Sequence, residues 1–352
     1  MGLPKIDIVF RSLAKSAIQR SSKGTVALIL RDTKNLGIHY LESIKEVPEG
    51  FTEENTEQIT LAFKGGYNIP NKIILCVLKD EQKIEEGMDM LEAELWDYLA
   101  VPCIKEEEKE KVATWIKGLR QDNCKVQAIL PNIKADHEGI INLTTTNIKV
   151  KDKTYTNTQY CSRIAGILAG TPLNISCTYF VLNEVTDVPH IKKSEANKRI
   201  DAGELILIND GEKCKIGRGV NSLVTTREGI SEDYKKIKIV SIMDMIDRDI
   251  RKTFEGNYTG KYPNSYENQV EFCMSITGYF EELEKAKILA KGLNTSKVDI
   301  ESMKLYWKKK GIDLSNAKPQ DIEENTCGSN VFVKGKVKIL DAMEDLEFNI
   351  DM

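Results

Sequence analysis

KIILCVLKDEQKIEEGMDMLEAELWDYLA, Lys72–Ala100, is the stretch from which the fold is read. Ile73 to Leu78 is an unbroken apolar run of strand length. After a polar turn, Ile84, Met88, Leu91, Leu95 and Tyr98 recur at three- and four-residue intervals, which predicts a helix running through Ala100. Downstream the unit repeats in reverse order. Val112, Trp115, Ile116 and Leu119 mark a helix face, and Cys124 to Leu130 reads as a strand stopped by Pro131. Upstream, Thr25–Leu30 (TVALIL) is another buried strand, and Ile140–Leu143 and Ile148–Val150 add two more. Polar Arg31–Asn35 follows Thr25–Leu30, and charged, glycine-bearing sequence then leads to Gly65 and Gly66. Alternating strands and helices predict a mixed α/β fold with a partly parallel sheet.

The chain is 352 residues long, enough for about two domains. Lys and Arg number 50 against 54 Asp and Glu, interleaved throughout, so no dedicated nucleic-acid surface is indicated. The eight cysteines are scattered, without a C-x-x-C pair or a His at ligand spacing, which argues against zinc and against a disulfide framework. No signal-peptide core and no run of ~18 apolar residues is present, so membrane insertion is not expected and folding in the cytoplasm is.

Thr156 and Gln159 have the spacing of a capping box and open a helix with Tyr160, Ile164, Ile167 and Leu168 on one face, ended by Gly170 and Pro172. Within it Ala165, Gly166 and Ala169 would allow a close approach to the sheet. A helix near Ser194 follows, and Leu205–Ile208 and Cys214–Val220 flank Asp210-Gly211 as a hairpin. Ile237–Val240 reads as a strand entering a helix with Ile242, Met245, Ile246 and Ile250 inward and Asp244, Asp247, Arg248, Asp249 and Arg251 outward. The longest helix opens at Asn264 and Glu267, with a possible break at Gly278. A last helix carries Met303, Tyr306 and Trp307, and Gly311–Asn330 reads as a connection.

Catalytic chemistry is not signalled. Gly217-Arg218-Gly219 lacks the third glycine of a dinucleotide fingerprint and starts no helical pattern, so it reads as a tight bend in a sheet. The aspartates between Asp244 and Asp249 do not converge as metal ligands should, and with Arg248 and Arg251 they read as a solvated or subunit-facing surface. His39, His137 and His190 lie in polar stretches without a nucleophile elbow.

Both ends read as strands. Ile6, Ile8 and Phe10 alternate with Lys5, Asp7 and Val9. At the other end Leu346, Phe348, Ile350 and Met352 alternate with Asp345, Glu347, Asn349 and Asp351, after a run containing Val331, Val333, Val337 and Ile339. Pattern alone favours pairing within the subunit, although an extended segment can also add to a neighbour's sheet edge.

Four segments in order resemble the contractile tail sheath proteins of bacteriophages and R-type bacteriocins. They are Tyr160–Val185 (YCSRIAGILAGTPLNISCTYFVLNEV), Ile216–Thr226 (IGRGVNSLVTT), Ile239–Asn268 with MDMIDRDIRKTF and GKYPNSYEN, and the closing MEDLEFNIDM. The resemblance implies a two-layer α/β sheath fold with extended terminal strand arms. It divides the chain into an N-terminal arm (1–22), an outer α/β domain (23–155), a conserved core (156–327) and a C-terminal β arm (328–352). It further implies a non-enzymatic subunit without cofactor or metal, which forms hexameric rings stacked around a tail tube and contracts to drive the tube through an envelope. Its expected partners are other copies of itself, the tube, the baseplate and the tail terminator. It would be found in the host cytoplasm during assembly and in the particle afterwards. The resemblance also shifts the arms towards exchange between neighbours, making Ile6, Ile8, Phe10, Leu346, Phe348, Ile350 and Met352 the expected contact residues, with Asp247, Arg248 and Arg251 as interface charges. An α/β nucleotide-binding enzyme using the Gly217 turn, and a tube or baseplate component, remain the alternatives.

Overall fold

The computed structural model describes residues 18, 24–312, 314 and 316–351. Contacts divide the described chain into two units, one comprising residues 24–245 with 341–351, the other Ile246–Leu340. These divisions fall elsewhere than at the expected 155/156 and 327/328 boundaries.

The larger unit is built on a seven-stranded sheet. Its elements in order are β1 (Thr25–Arg31), β2 (Gly37–Leu41), α1 (Glu53–Phe63), β3 (Lys72–Leu78), α2 (Ile84–Glu92), β4 (Tyr98–Ala100), α3 (Glu106–Gln121), β5 (Gln127–Pro131) and β6 (Ile140–Leu143). After the ribbon of β7 (Ile148–Val150) and β8 (Lys153–Tyr155) come α4 (Asn157–Ala169), α5 (Lys193–Asp201), β9 (Glu204–Leu205), β10 (Leu207–Asn209) and β11 (Cys214–Ile216). Strand order is β2-β3-β1-β4-β5-β6-β9, with β2 antiparallel to β3 and every other neighbour parallel. Val26, Leu28 and Leu30 pack with α1 and α4, whereas Ala27 and Ile29 pack with α2 and α3. The fold is mixed α/β as expected, but helices cover both faces, giving three layers. That double cover is why the strands are continuously apolar.

Two local expectations are corrected, and one stretch left without an assignment gains a helix and a strand. The helix from Ile84 stops at Glu92, and Tyr98–Ala100 is strand β4, paired to β1 and β5, with Leu95 exposed in the turn. Glu53–Phe63 is a helix capped by Thr52, and Gly37–Leu41 is an edge strand. Ile237–Val240 is not a strand but the first turn of α6 (Ile237–Thr253). The capping box at Thr156 and Gln159 and the β10–β11 hairpin form as read.

The smaller unit holds the end of α6, α7 (Tyr266–Lys285), β12 (Thr295–Val298), α8 (Ile300–Lys309), the short α9 (Pro319–Glu323) within the expected connection, and β13 (Val333–Lys336). Gly278 does not interrupt α7, whose N-cap is Ser265. Strands β12 and β13 form an antiparallel ribbon over a core of Cys273, Val298, Met303, Ile322 and Cys327.

Candidate assembly surfaces

Ile6, Ile8, Phe10 and Met352 lie outside the described residues. Leu346, Phe348 and Ile350 are described, and they are 90%, 74% and 68% exposed. Among the described residues Asp345–Asp351 pairs with no strand and is itself extended chain outside any ladder, so the strand expected here does not form within the described part of the subunit.

The root of this arm is held by charge. Glu344 takes a hydrogen bond from Thr178 Oγ1 at 2.6 Å and lies 3.0 Å from Ser176 Oγ, while Arg218 Nε donates to its other oxygen at 2.9 Å. Arg218 also pairs with Asp345, and Lys236 pairs with Asp341. Burial pushes the Asp341 carboxyl up, but hydrogen bonds from Lys236 and the Ala342 N–H outweigh it and leave the group below its ordinary value.

Of the charges on α6, Asp247 and Arg251 form a partly exposed i,i+4 pair at 3.2 Å, and Arg248 is also partly exposed. Asp244 and Asp249 do not face outward. Asp244 is buried and receives both Arg120 Nη atoms at 2.9 Å, with Gln127 Nε2 at 3.2 Å. Asp249 is buried and accepts from Tyr279 Oη at 2.6 Å. Sequence reasoning missed the Arg120–Asp244 pair because its halves stand 124 residues apart.

Gly166 serves a close approach, but its neighbour is α1 rather than the sheet. A Cβ there would stand 2.1 Å from the Ala62 carbonyl oxygen, and one on Gly170 would stand 1.8 Å from that of Asn68. Asn68 N–H donates to Gly170 O at 2.9 Å, and Arg163 to Gly65 O, closing the seam.

The crevice at the reversal of strand order and the Gly217 turn are both crossed by the chain's own hydrogen bonds. Open doubly wound sheets bind ligands where the strand order reverses, here between the carboxyl ends of β1 and β4. Arg31 spans that crevice, donating to the carbonyls of Lys79, Asp80 and Gln82 at 2.7–3.1 Å and to Glu108 at 2.7 Å. The Gly217 turn is held to the sheet by Gly217 N–H to Ile206 O at 2.8 Å, and a Cβ on Gly219 would stand 2.8 Å from Cys177 Sγ. Among the described residues no group of three or more His, Cys, Asp or Glu is placed to hold a metal, and no helix is long and apolar enough to cross a membrane.

Residues 79–222 match the phage tail sheath protein central domain and residues 231–352 the phage tail sheath C-terminal domain. The tail sheath protein of Clostridium phage phiCD119 is 37% identical over 357 residues, an alignment spanning 100% of this chain and 99% of that one. The chain belongs to the phage tail sheath family. It is a structural subunit of a contractile tail sheath. The phage-like element PBSX protein XkdK of Bacillus subtilis is 30% identical over 167 residues, 46% of this sheath subunit and 36% of that protein. The fold is shared with the sheath tail protein of Desulfitobacterium hafniense (TM-score 0.69, 15% identity, 84% and 94% of the chains). It is shared also with the contracted helical sheath of the anti-feeding prophage (TM-score 0.68, 14% identity, 100% and 99%).

Proposed function

We propose that this sheath subunit polymerises as six-membered rings stacked helically around a tail tube, and that its terminal arms exchange strands with neighbouring copies. Contraction from a metastable long form then drives the tube through an envelope, with the work stored at assembly and no nucleotide consumed. The observation that carries the proposal is the C-terminal arm, a segment of period-2 apolar pattern whose Leu346, Phe348 and Ile350 lie in solvent and whose backbone joins no ladder among the described residues. Such an edge-seeking segment is a liability for a monomer and a means of assembly for a polymer.

The energetics fit an assembly that waits for a template. Adding the arm to a neighbour's sheet forms ~5 hydrogen bonds at ~1 kcal/mol net each and buries three large side chains at roughly 2 kcal/mol each. Ordering about seven residues costs about 1–2 kcal/mol apiece. One arm alone is near balance, so several contacts must form together on a tube or baseplate that raises the effective concentration.

Charge points to an acceptor. The β12–β13 ribbon carries exposed Lys297, Lys334 and Lys336, with exposed Lys338 two residues beyond it, and Lys297 stands directly opposite Lys334. Like charges facing across strands repel. An arm bearing Asp345, Glu347 and Asp351 relieves that repulsion when it docks on another copy. Asp247, Arg248 and Arg251 are proposed as subunit contacts remade on contraction. The tube, the baseplate and the tail terminator are the proposed further partners, with assembly in the host cytoplasm before release in the particle. Electron microscopy of the purified protein is the test: hollow tubes or six-membered rings are expected, and a monodisperse monomer under all conditions, template included, contradicts the proposal.

A further inference from the structure

We infer that Arg218 and Glu344 form a clasp that fixes where the C-terminal arm leaves the subunit and in which direction, making Arg218 a positioning residue for arm exchange. The Gly217-Arg218-Gly219 turn, read from sequence as a bend in a sheet, gains a specific role from its neighbours. Glycine at 219 lets the turn lie against Ser176–Thr178, because a Cβ there would meet Cys177 Sγ at 2.8 Å and Ser176 Oγ at 3.3 Å. The Gly219 N–H then donates to Thr178 Oγ1 at 2.9 Å, and that same hydroxyl donates to Glu344. Ser176 Oγ accepts from the Thr178 N–H at 3.1 Å and contacts the same carboxylate oxygen. Arg218, between the two glycines, completes the carboxylate's shell at its second oxygen and reaches on to Asp345.

The contrast along the arm gives the clasp its meaning. Glu344 has a side chain only 10% exposed, while its neighbour Met343 is fully exposed and Leu346 nearly so. Burying a carboxylate is costly unless it is paired and fully hydrogen-bonded. Three donors on two separate segments supply that satisfaction at one residue, immediately before the unpaired apolar strand begins. With the Lys236–Asp341 pair three residues earlier, the root is held at two points, so the arm starts from a fixed place instead of sweeping as a free tail. Restricting a segment before it binds removes part of the ordering cost of binding. This consequence rests on the proposed arm exchange, whereas the clasp itself is a property of the isolated subunit.

The test separates the two. In Arg218→Ala and in Glu344→Gln, which keeps the side chain's size, limited proteolysis of the full-length monomer should cut near Asp341–Asp345 faster than in the parent, with the thermal transition unchanged. The rate of tube formation should fall about tenfold, the effect of losing ~1.4 kcal/mol of preorganisation. The exchanged pair Arg218→Glu with Glu344→Arg should restore both readouts in part. Unchanged arm proteolysis in both single variants overturns the clasp. Faster proteolysis with tube formation at the parental rate overturns the positioning role. Failure of arm exchange itself is read independently, by whether the chain lacking its last eight residues still polymerises.

Discussion

Helix α4 and the C-terminal arm are both apolar segments within the matched sheath regions, yet they end in opposite environments. In α4 every residue but two in the first turn is buried, and Gly166 brings its backbone against Ala62 of α1. In the arm Leu346, Phe348 and Ile350 are open to solvent, and ion pairs, together with the hydroxyls of Ser176 and Thr178, tie the segment down at its root. The difference separates two uses of hydrophobic pattern. The first closes a core inside one chain, so changes there are felt in the subunit's stability. On the proposed arm exchange the second is completed by another chain, so changes there should be felt in assembly and leave the subunit's stability nearly unchanged.

The comparison is broken most readily at the buried ion pair. Asp244→Ala leaves Arg120 charged and buried without its main partner, so denaturant unfolding should show a loss of about 3–5 kcal/mol. A loss below about 1 kcal/mol would mean that water reaches this site and that the closed half of the comparison is less closed than it looks. Gly166→Leu comes next. A Cβ already falls inside contact with the Ala62 carbonyl, so the two helices must part, and a loss of about 3 kcal/mol, the upper part of the overpacking range, is expected from the same measurement.

Smaller effects belong to the arm root. Because the Asp341 carboxyl sits below its ordinary value of 3.8 when folded, its contribution is fully present above that value and is lost as pH falls through the lower, folded one. Hydrogen exchange at the arm root should therefore quicken as pH is lowered below about 4, after correction for the intrinsic rate, and Asp341→Asn should remove that dependence. An unchanged pH profile in Asp341→Asn would assign the loosening to other carboxylates. Neutralising Asp247, Arg248 and Arg251 together should move subunit stability by no more than about 0.5–1 kcal/mol, since exposed pairs are weak, and should shift the threshold for contraction. Equal effects on both readouts count against an interface role.

The same division explains what could be read from the sequence. The strands Thr25–Arg31, Lys72–Leu78 and Ile140–Leu143 were legible because burial on both faces makes them apolar at nearly every interior position, Asn142 excepted. Helix α1 was not, because buried Asn55 and Gln58 break its apolar period, Asn55 being satisfied by the Arg31 carbonyl and Asp32 at 2.7 Å. Strand β4 was hidden inside a helical period that Leu95 and Tyr98 happened to continue. At Ile237–Val240 a β-branched run was overridden by context, the Ile237 N–H being taken by Gly219 O and the Val240 N–H by Lys236 O. Asp244 and Asp249 read as outward charges because burial of a charge depends on partners far away in sequence. The arm's alternation was legible, but what covers its apolar face was not, since among the described residues nothing does. Arg218 lay within a segment that carried the family resemblance, although nothing in its spacing pointed to Glu344.

The smallest effect on the subunit should accompany the largest effect on assembly, and one truncation measures both. Deleting Asp345–Met352 should leave a folded monomer whose main thermal transition is unchanged, because Leu346, Phe348 and Ile350 are largely exposed. Imaging the same protein with its tube template should show no sheath. A truncated subunit that is destabilised by several kcal/mol yet still forms tubes would contradict strand exchange, placing the arm in its own subunit's core.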